Sequence, residues 1–218
     1  MKMLSLENIC LRFGERTVFE NLNLQLPDSH WCCIHTGVSD GGSSLLKISG
    51  AFLQPQSGRV RLAEKTANQY SDSELFDLVS LCQETQGFLS IFQNFNNIVL
   101  PIAYHRDFSA EKVMDDMEHF CNLLGLGDML ELEPQQLTDV EHRLFNLVRA
   151  LIIKPKILLV DEIQSGLSLD FRKKVLDLLQ EQKERYGMTI LMTVSAGDDT
   201  TYADSVYTIK DHKLEKMS

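Results

Sequence analysis

Residues 31–50, WCCIHTGVSDGGSSLLKISG, constrain the fold more than any other stretch of the chain. The run Trp31-Cys32-Cys33-Ile34 is apolar and fits a buried strand. Gly37-Val38-Ser39-Asp40-Gly41-Gly42 follows at once, and Ser43-Ser44-Leu45-Leu46-Lys47-Ile48 has a helix-compatible composition. A strand, a glycine loop and a helix in that order can turn backbone N–H groups toward an anion, and the helix N-terminus adds partial positive charge. Gly37, Gly42 and Ser44 meet the Gly-x-x-x-x-Gly-x-Ser spacing of a phosphate-cradling loop. Ser43 stands where such a loop carries lysine, and serine has neither the charge nor the reach of that group. Taken alone, the stretch also fits a plain Gly/Ser-rich turn between strand and helix.

At 218 residues the chain is long enough for one large domain, or for a core with an insertion. A formal net charge of −10 argues against a broad nucleic-acid surface. No apolar run approaches the roughly 20 residues that span a bilayer. The first residues, MKMLSLE, meet an acid too early for a signal peptide. Five cysteines without zinc-type spacing fit reduced, buried thiols in a cytoplasmic protein.

Around that unit, hydrophobic periodicity sets the other elements. Residues 4–26 alternate around Gly14-Glu15 as a hairpin followed by a further strand segment over residues 22–26. Pro55-Gln56-Ser57-Gly58 marks a turn before a short strand at 59–62, and residues 78–82 form another strand ending at Gln83. From 84 to about 137 helical spacing replaces β-branched runs. Ser109 can cap a helix with Val113, Met117, Phe120, Cys121 and Leu124 on one face, and Gly125 is placed to end it. Residues 141–153 and 171–186 have helical spacing, 157–160 and 189–194 are apolar strands, and 205–215 form a hairpin across Asp211-His212. Strands alternating with helices predict a mostly parallel sheet with its ligand at the strand C-terminal ends.

The second constellation is Asp161-Glu162, closing the apolar strand at 157–160. If that strand neighbours the one before the glycine loop, one carboxylate can hold Mg²⁺ through water and Ser44 while the other polarises an attacking water. An ordinary strand end meeting solvent is the alternative.

In this order the features resemble the ATP-binding subunit of ABC transporters, and the resemblance covers nearly the whole chain. Phe13 sits where the family stacks an aromatic ring on adenine. Gly37, Asp40, Gly41, Gly42, Ser43, Ser44 and Leu45 fall in the Walker A loop and the first turn of its helix. Pro55-Gln56-Ser57-Gly58 matches a P-x-S-G turn, and Gln83 matches the Q-loop glutamine. Asn97-Ile98-Val99-Leu100-Pro101 resembles a segment of bacterial members serving lipid, lipoprotein or cell-division machinery. Leu137-Thr138-Asp139-Val140-Glu141 falls at the L-S-G-G-Q signature, with Arg149-Ala150-Leu151 at the family's distance. Residues 157–162 match Walker B, and Ser165-Gly166-Leu167-Ser168 the D-loop.

The resemblance implies an α/β P-loop NTPase core over residues 1–83 and 146–218, with an N-terminal antiparallel β subdomain and an α-helical subdomain over 84–145. It implies Mg-ATP as cofactor, with Ser44, Gln83 and Asp161 around the metal and Glu162, Gln83 and Ser195 at the catalytic positions. It implies an integral membrane permease subunit as partner, a homodimer or heterodimer of ATP-binding subunits, and a place on the inner face of the cell membrane. A cytoplasmic helix of the permease is expected in a groove near the Q-loop, lined from Gln83 through Phe88, Leu89, Ile91, Phe92 and Phe95.

The departures point to a degenerate member. Ser43 replaces the Walker A lysine, Asp139 and Val140 replace both signature glycines, Ser168 the D-loop aspartate and Ser195 the switch histidine. Losing one charge-assisted hydrogen bond costs roughly 1.5–3 kcal/mol, about ten- to a hundredfold in affinity. Lys47, His35 and Arg143 are poor replacements: Lys47 would have to reach back past Ser43, His35 belongs to the strand, and Arg143 is expected on an exposed helix face. The expected function is weak nucleotide binding with slow or no hydrolysis. The alternatives are a non-catalytic scaffold that keeps the docking groove, and a working ATPase compensated from elsewhere.

Overall fold

The computed structural model describes residues 2–83, 87–105 and 110–217. Its strands are β1 (Lys2–Phe13), β2 (Arg16–Pro27), β3 (Trp31–His35), β4 (Ser57–Leu62), β5 (Val79–Cys82), β6 (Ile157–Val160), β7 (Thr189–Val194), β8 (Ser205–Lys210) and β9 (Lys213–Lys216). Its helices are α1 (Gly42–Ser49), α2 (Asp72–Leu78), α3 (Asn94–His105), α4 (Ala110–Leu123), α5 (Asp139–Leu151) and α6 (Leu169–Tyr186).

β2, β1 and β4 form an antiparallel sheet in that order. The hairpin expected across Gly14-Glu15 is present, but residues 22–26 continue β2 instead of forming a separate segment. Register shifts in β1 between Leu6 and Ile9 and between Ile9 and Leu11 let one long strand bend without breaking. The main sheet runs β5-β6-β7-β3-β8-β9, parallel except for β9, which returns across Asp211-His212.

The apolar runs of the parallel strands follow from burial on both faces. Cys32, Ile34, Ile157, Leu159 and Leu191 pack with the antiparallel sheet and α1. Their sequence neighbours Cys33, Leu158, Val160, Ile190 and Met192 pack on the opposite face with Phe145, Leu147 and Val148 of α5 and Val175 and Leu179 of α6. Met117, Phe120 and Cys121 of α4, Leu124 just after it, and Ile98 and Ile102 of α3 join that second cluster. Gly125 ends α4 at φ +71°, as its position predicts. The expected cap Ser109 lies outside the described residues.

The condition set for the acidic pair, that its strand neighbour the one before the glycine loop, is not met, because β7 lies between β6 and β3. The connection through α6 returns the chain to β7, which pairs with both. Among the described residues no helix is long and apolar enough to cross a membrane. All five cysteines are free, and burial pushes the thiols of Cys32, Cys33, Cys82 and Cys121 up to about 12, so they stay un-ionised.

Candidate nucleotide site

β3 ends at His35, and the chain turns through the glycine loop into α1. Gly41 adopts φ +94°, and a Cβ there would meet Val18 Cγ1 at 2.4 Å. A Cβ on Gly42 would meet Thr36 Cγ2 at 2.7 Å. Both glycines therefore let the loop lie close against its neighbours. Leu45 and Leu46 are fully buried and fix α1 against the core. No acidic residue sits in the first turn of α1 and no side chain caps it, so its leading amides remain for a ligand.

Above the loop is a cavity of about 430 Å³, lined by residues 36–44 together with Phe13, Arg16, Val18 and Glu162. Phe13, at the end of the hairpin, is 54% exposed and offers a ring face at the rim. Most of the expected nucleotide residues thus share one space: Phe13, Gly37, Asp40, Gly41, Gly42, Ser43 and Ser44 line it, while Leu45 is packed behind.

Asp40 changes the character of the loop. Its Oδ2 accepts a hydrogen bond from the Gly37 N–H at 2.7 Å, and a Cβ on Gly37 would strike that oxygen at 2.7 Å. A carboxylate therefore occupies one loop amide and adds negative charge to the loop. Lys47 offers no relief, because it lines a different cavity of about 630 Å³ together with Phe52, Gln83, Pro101, His105 and Arg149. His35 ends β3 between Val194 and Thr208 and does not line the loop cavity. Arg16, which composition and spacing did not single out, does line it, and its Nη2 donates to the Ser39 carbonyl.

The acids take separate positions. Asp161 is buried and its Oδ1 accepts from Thr193 Oγ1 at 2.7 Å. Glu162 faces the loop cavity, with φ +43° and its N–H donating to Thr193 Oγ1 at 3.0 Å. Arg143 is corrected from an exposed helix residue: it is buried and its Nη1 donates to the Glu162 carbonyl at 3.3 Å. The face of α5 that carries it packs on the turn after β6, which supplies acceptors that solvent would otherwise provide. Gln83 opens on the larger cavity, so the expected metal group Ser44, Gln83 and Asp161 is not gathered around the loop cavity, which only Ser44 lines.

Ser195 follows β7 and its N–H donates to Asp198 Oδ2 at 2.9 Å, while Asp198 Oδ1 pairs with Arg172 at 3.2 Å. It lies outside the residues lining the loop cavity. The segment Leu137-Thr138-Asp139-Val140-Glu141 is a helix start. Thr138 caps α5 by accepting from Glu141 N–H, and the Glu141 carboxylate accepts from Thr138 N–H at 2.7 Å. The Thr-x-x-Glu spacing carried this signal in the sequence. Asp139 adds a carboxylate to the first turn. Phe88 packs against His142 and Phe145, with the Arg149 guanidinium 4.9 Å from its ring centre. Phe88 and Phe95 are partly buried against the core, Phe92 is half-buried, and Leu89 and Ile91 are exposed.

The parallel sheet, the strand-loop-helix unit at its centre and the acids closing β6 define a P-loop nucleotide-binding cassette. A family model described as ABC transporter matches residues 19–165, and the chain belongs to that family. It is 27% identical over 197 residues to the methionine import ATP-binding protein MetN of Histophilus somni, covering 87% of this chain and 57% of that protein. It is 25% identical to the lipoprotein-releasing system ATP-binding protein LolD of Acinetobacter baylyi, covering 89% and 87%. The chain thus spans little more than half of the first relative and most of the second. Among solved structures, a dimeric ATP-binding cassette bound to ADP and Pi in a post-hydrolysis state superposes with a TM-score of 0.87 at 21% identity, over 99% of this chain and 98% of that one.

Relatives of this fold bind nucleotide, and the cavity fits that group unevenly. The ring of Phe13, the open N-terminus of α1 and the hydroxyls of Ser43 and Ser44 suit a nucleotide. The Asp40 carboxylate and the missing loop lysine oppose its phosphates.

Proposed function

We propose that this chain is a degenerate ATP-binding subunit of an ABC-type membrane transport complex, holding Mg-nucleotide weakly and turning it over slowly or not at all. The observation that carries this reading is the Asp40–Gly37 contact inside a loop that has serine in place of lysine. Bound Mg-nucleotide would bring the phosphoanhydride bond and a charge-neutralising metal. Phe13 holds the base, the α1 amides and Ser44 meet phosphate, and Glu162 orients a water at the cavity wall. Asp139 and Val140 give an opposing subunit no glycine amides for phosphate, and Ser195 has no imidazole. Each of these losses removes stabilisation of developing charge.

On this reading residues 84–145 form the helical subdomain and the rest the core. An integral permease subunit docks over the 630 Å³ cavity beside Gln83, and its contact extends across exposed Leu89 and Ile91 with Phe88, Phe92 and Phe95 beneath or beside them. A second reading, a scaffold that keeps only this docking surface, is favoured by the same carboxylate in the loop.

Titration of Mg-ATP against the full chain, with a phosphate-release assay, separates the readings. Weak saturable binding with release no faster than in Glu162→Gln supports the first. Absence of binding supports the scaffold. A Glu162-dependent rate of about 1 s⁻¹ or more, within the ordinary enzyme range, rules out the degenerate assignment.

A further inference from the structure

The hairpin that supplies Phe13 also supplies a cation. Phe13 and Arg16 are paired across the β1–β2 turn, so their side chains leave the same face of the sheet. Both line the loop cavity, and among its lining residues Arg16 is the one cation, set against Asp40 and Glu162. Its guanidinium is tied to the loop through Nη2 and the Ser39 carbonyl. A guanidinium has five N–H donors, so most remain for another acceptor. No ion pair joins Arg16 to a carboxylate among the described residues, even though Asp40 lines the same two cavities as Arg16.

We infer that Arg16 is the phosphate-binding cation of this site, supplied by the hairpin in place of the loop lysine and bridging the Ser39 carbonyl to a phosphate of the bound nucleotide. The inference rests on the nucleotide reading above. A planar guanidinium suits the task, because it can hold the loop carbonyl with one nitrogen and present two parallel donors to a phosphate with the others. The charge enters from the side of the base, between Phe13 and the loop. The family's usual lysine would enter from the helix.

Calorimetric titrations of ATP and of adenosine against the full chain test this. Arg16→Gln is expected to weaken ATP about three- to tenfold while leaving adenosine unchanged, the gap narrowing as salt rises. Arg16→Lys should keep most of the ATP affinity, because the charge stays. Ser43→Lys in the Arg16→Gln background should recover the lost affinity, because it restores a cation at the same phosphates. Two results overturn the inference while nucleotide binding stands. In one, Arg16→Gln binds ATP like the wild type. In the other, it loses ATP and adenosine alike with a lowered melting temperature, which makes Arg16 a clamp on the loop only. If neither the wild type nor Ser43→Lys binds ATP, the nucleotide reading itself falls, and the inference with it.

Discussion

The Thr193 hydroxyl donates to Asp161 Oδ1 at 2.7 Å from the neighbouring strand. Thr193 Oγ1 in turn accepts the Glu162 N–H at 3.0 Å, so one side chain of β7 positions both residues of the acidic pair. Thr193 is itself buried, so nothing but protein can replace it.

Thr193→Val keeps the shape and deletes the hydroxyl. It leaves a buried carboxylate without that donor and a backbone N–H without that acceptor, and is expected to destabilise the fold by about 1–3 kcal/mol. Thr193→Ser should recover most of the loss. Urea unfolding of the two variants checks this; equal stabilities for valine and serine would show that the hydroxyl does not hold the pair.

Asp40→Asn is expected to strengthen ATP binding by about fivefold, the equivalent of roughly 1 kcal/mol. The amide oxygen of asparagine can still accept from Gly37, so the loop keeps its shape while the charge is removed. Calorimetry at low salt reads the change. An unchanged affinity would mean that the carboxylate does not face bound phosphate.

Phe88 and Ile91 should behave differently. Phe88 packs on Phe145 and under Arg149, so Phe88→Ala is expected to cost about 2 kcal/mol, or some 4–8 °C in melting temperature for a chain of this size. Ile91 is 81% exposed, so Ile91→Ala should leave the melting temperature in place and act only on retention of a membrane partner. Comparable melting losses for both would remove Ile91 from the docking surface.

Acid should weaken the end of the sheet opposite the loop. Burial pushes the His30 imidazole below its ordinary range; Asp204 pulls the other way and Lys183 adds to the lowering. The unfolded chain therefore takes up this proton near pH 6.5, before the fold does, and stability declines as pH drops below that value. Burial would raise the Asp204 carboxyl, but hydrogen bonds from Lys183 and the Trp31 N–H outweigh it and hold it low. Its contribution is present above the ordinary carboxylate range and is lost in stronger acid. Melts between about pH 7.5 and 5 should show the first decline, and His30→Asn should flatten it.

How far the sequence reveals this molecule depends on whether the determining contacts are local. β6 and β7 stand out because both faces are buried and every residue is apolar or threonine. α2 does not stand out as a helix although Ser71 and Glu74 form its capping box, because the apolar residues after it merge with β5. The glycine loop and the acids of β6 announce themselves by spacing. Arg16 does not, since nothing in its own segment indicates that the hairpin turn brings it onto a loop later in the chain. Arg143 misled for the same reason: its acceptor, the Glu162 carbonyl, belongs to a distant turn.

The strand that separates β3 from β6 also sets a width. Neighbouring strands lie about 4.8 Å apart, so two steps across the sheet put the loop strand and the acid strand roughly 10 Å from each other. Direct pairing of β3 with β6 would halve that distance and bring Glu162 closer to the glycine loop. The width belongs to the topology, and Ser43, Asp40 and Ser195 do not alter it. Substitutions at Ser43 or Asp40 therefore change the charge of the site without changing the distance between the two strands.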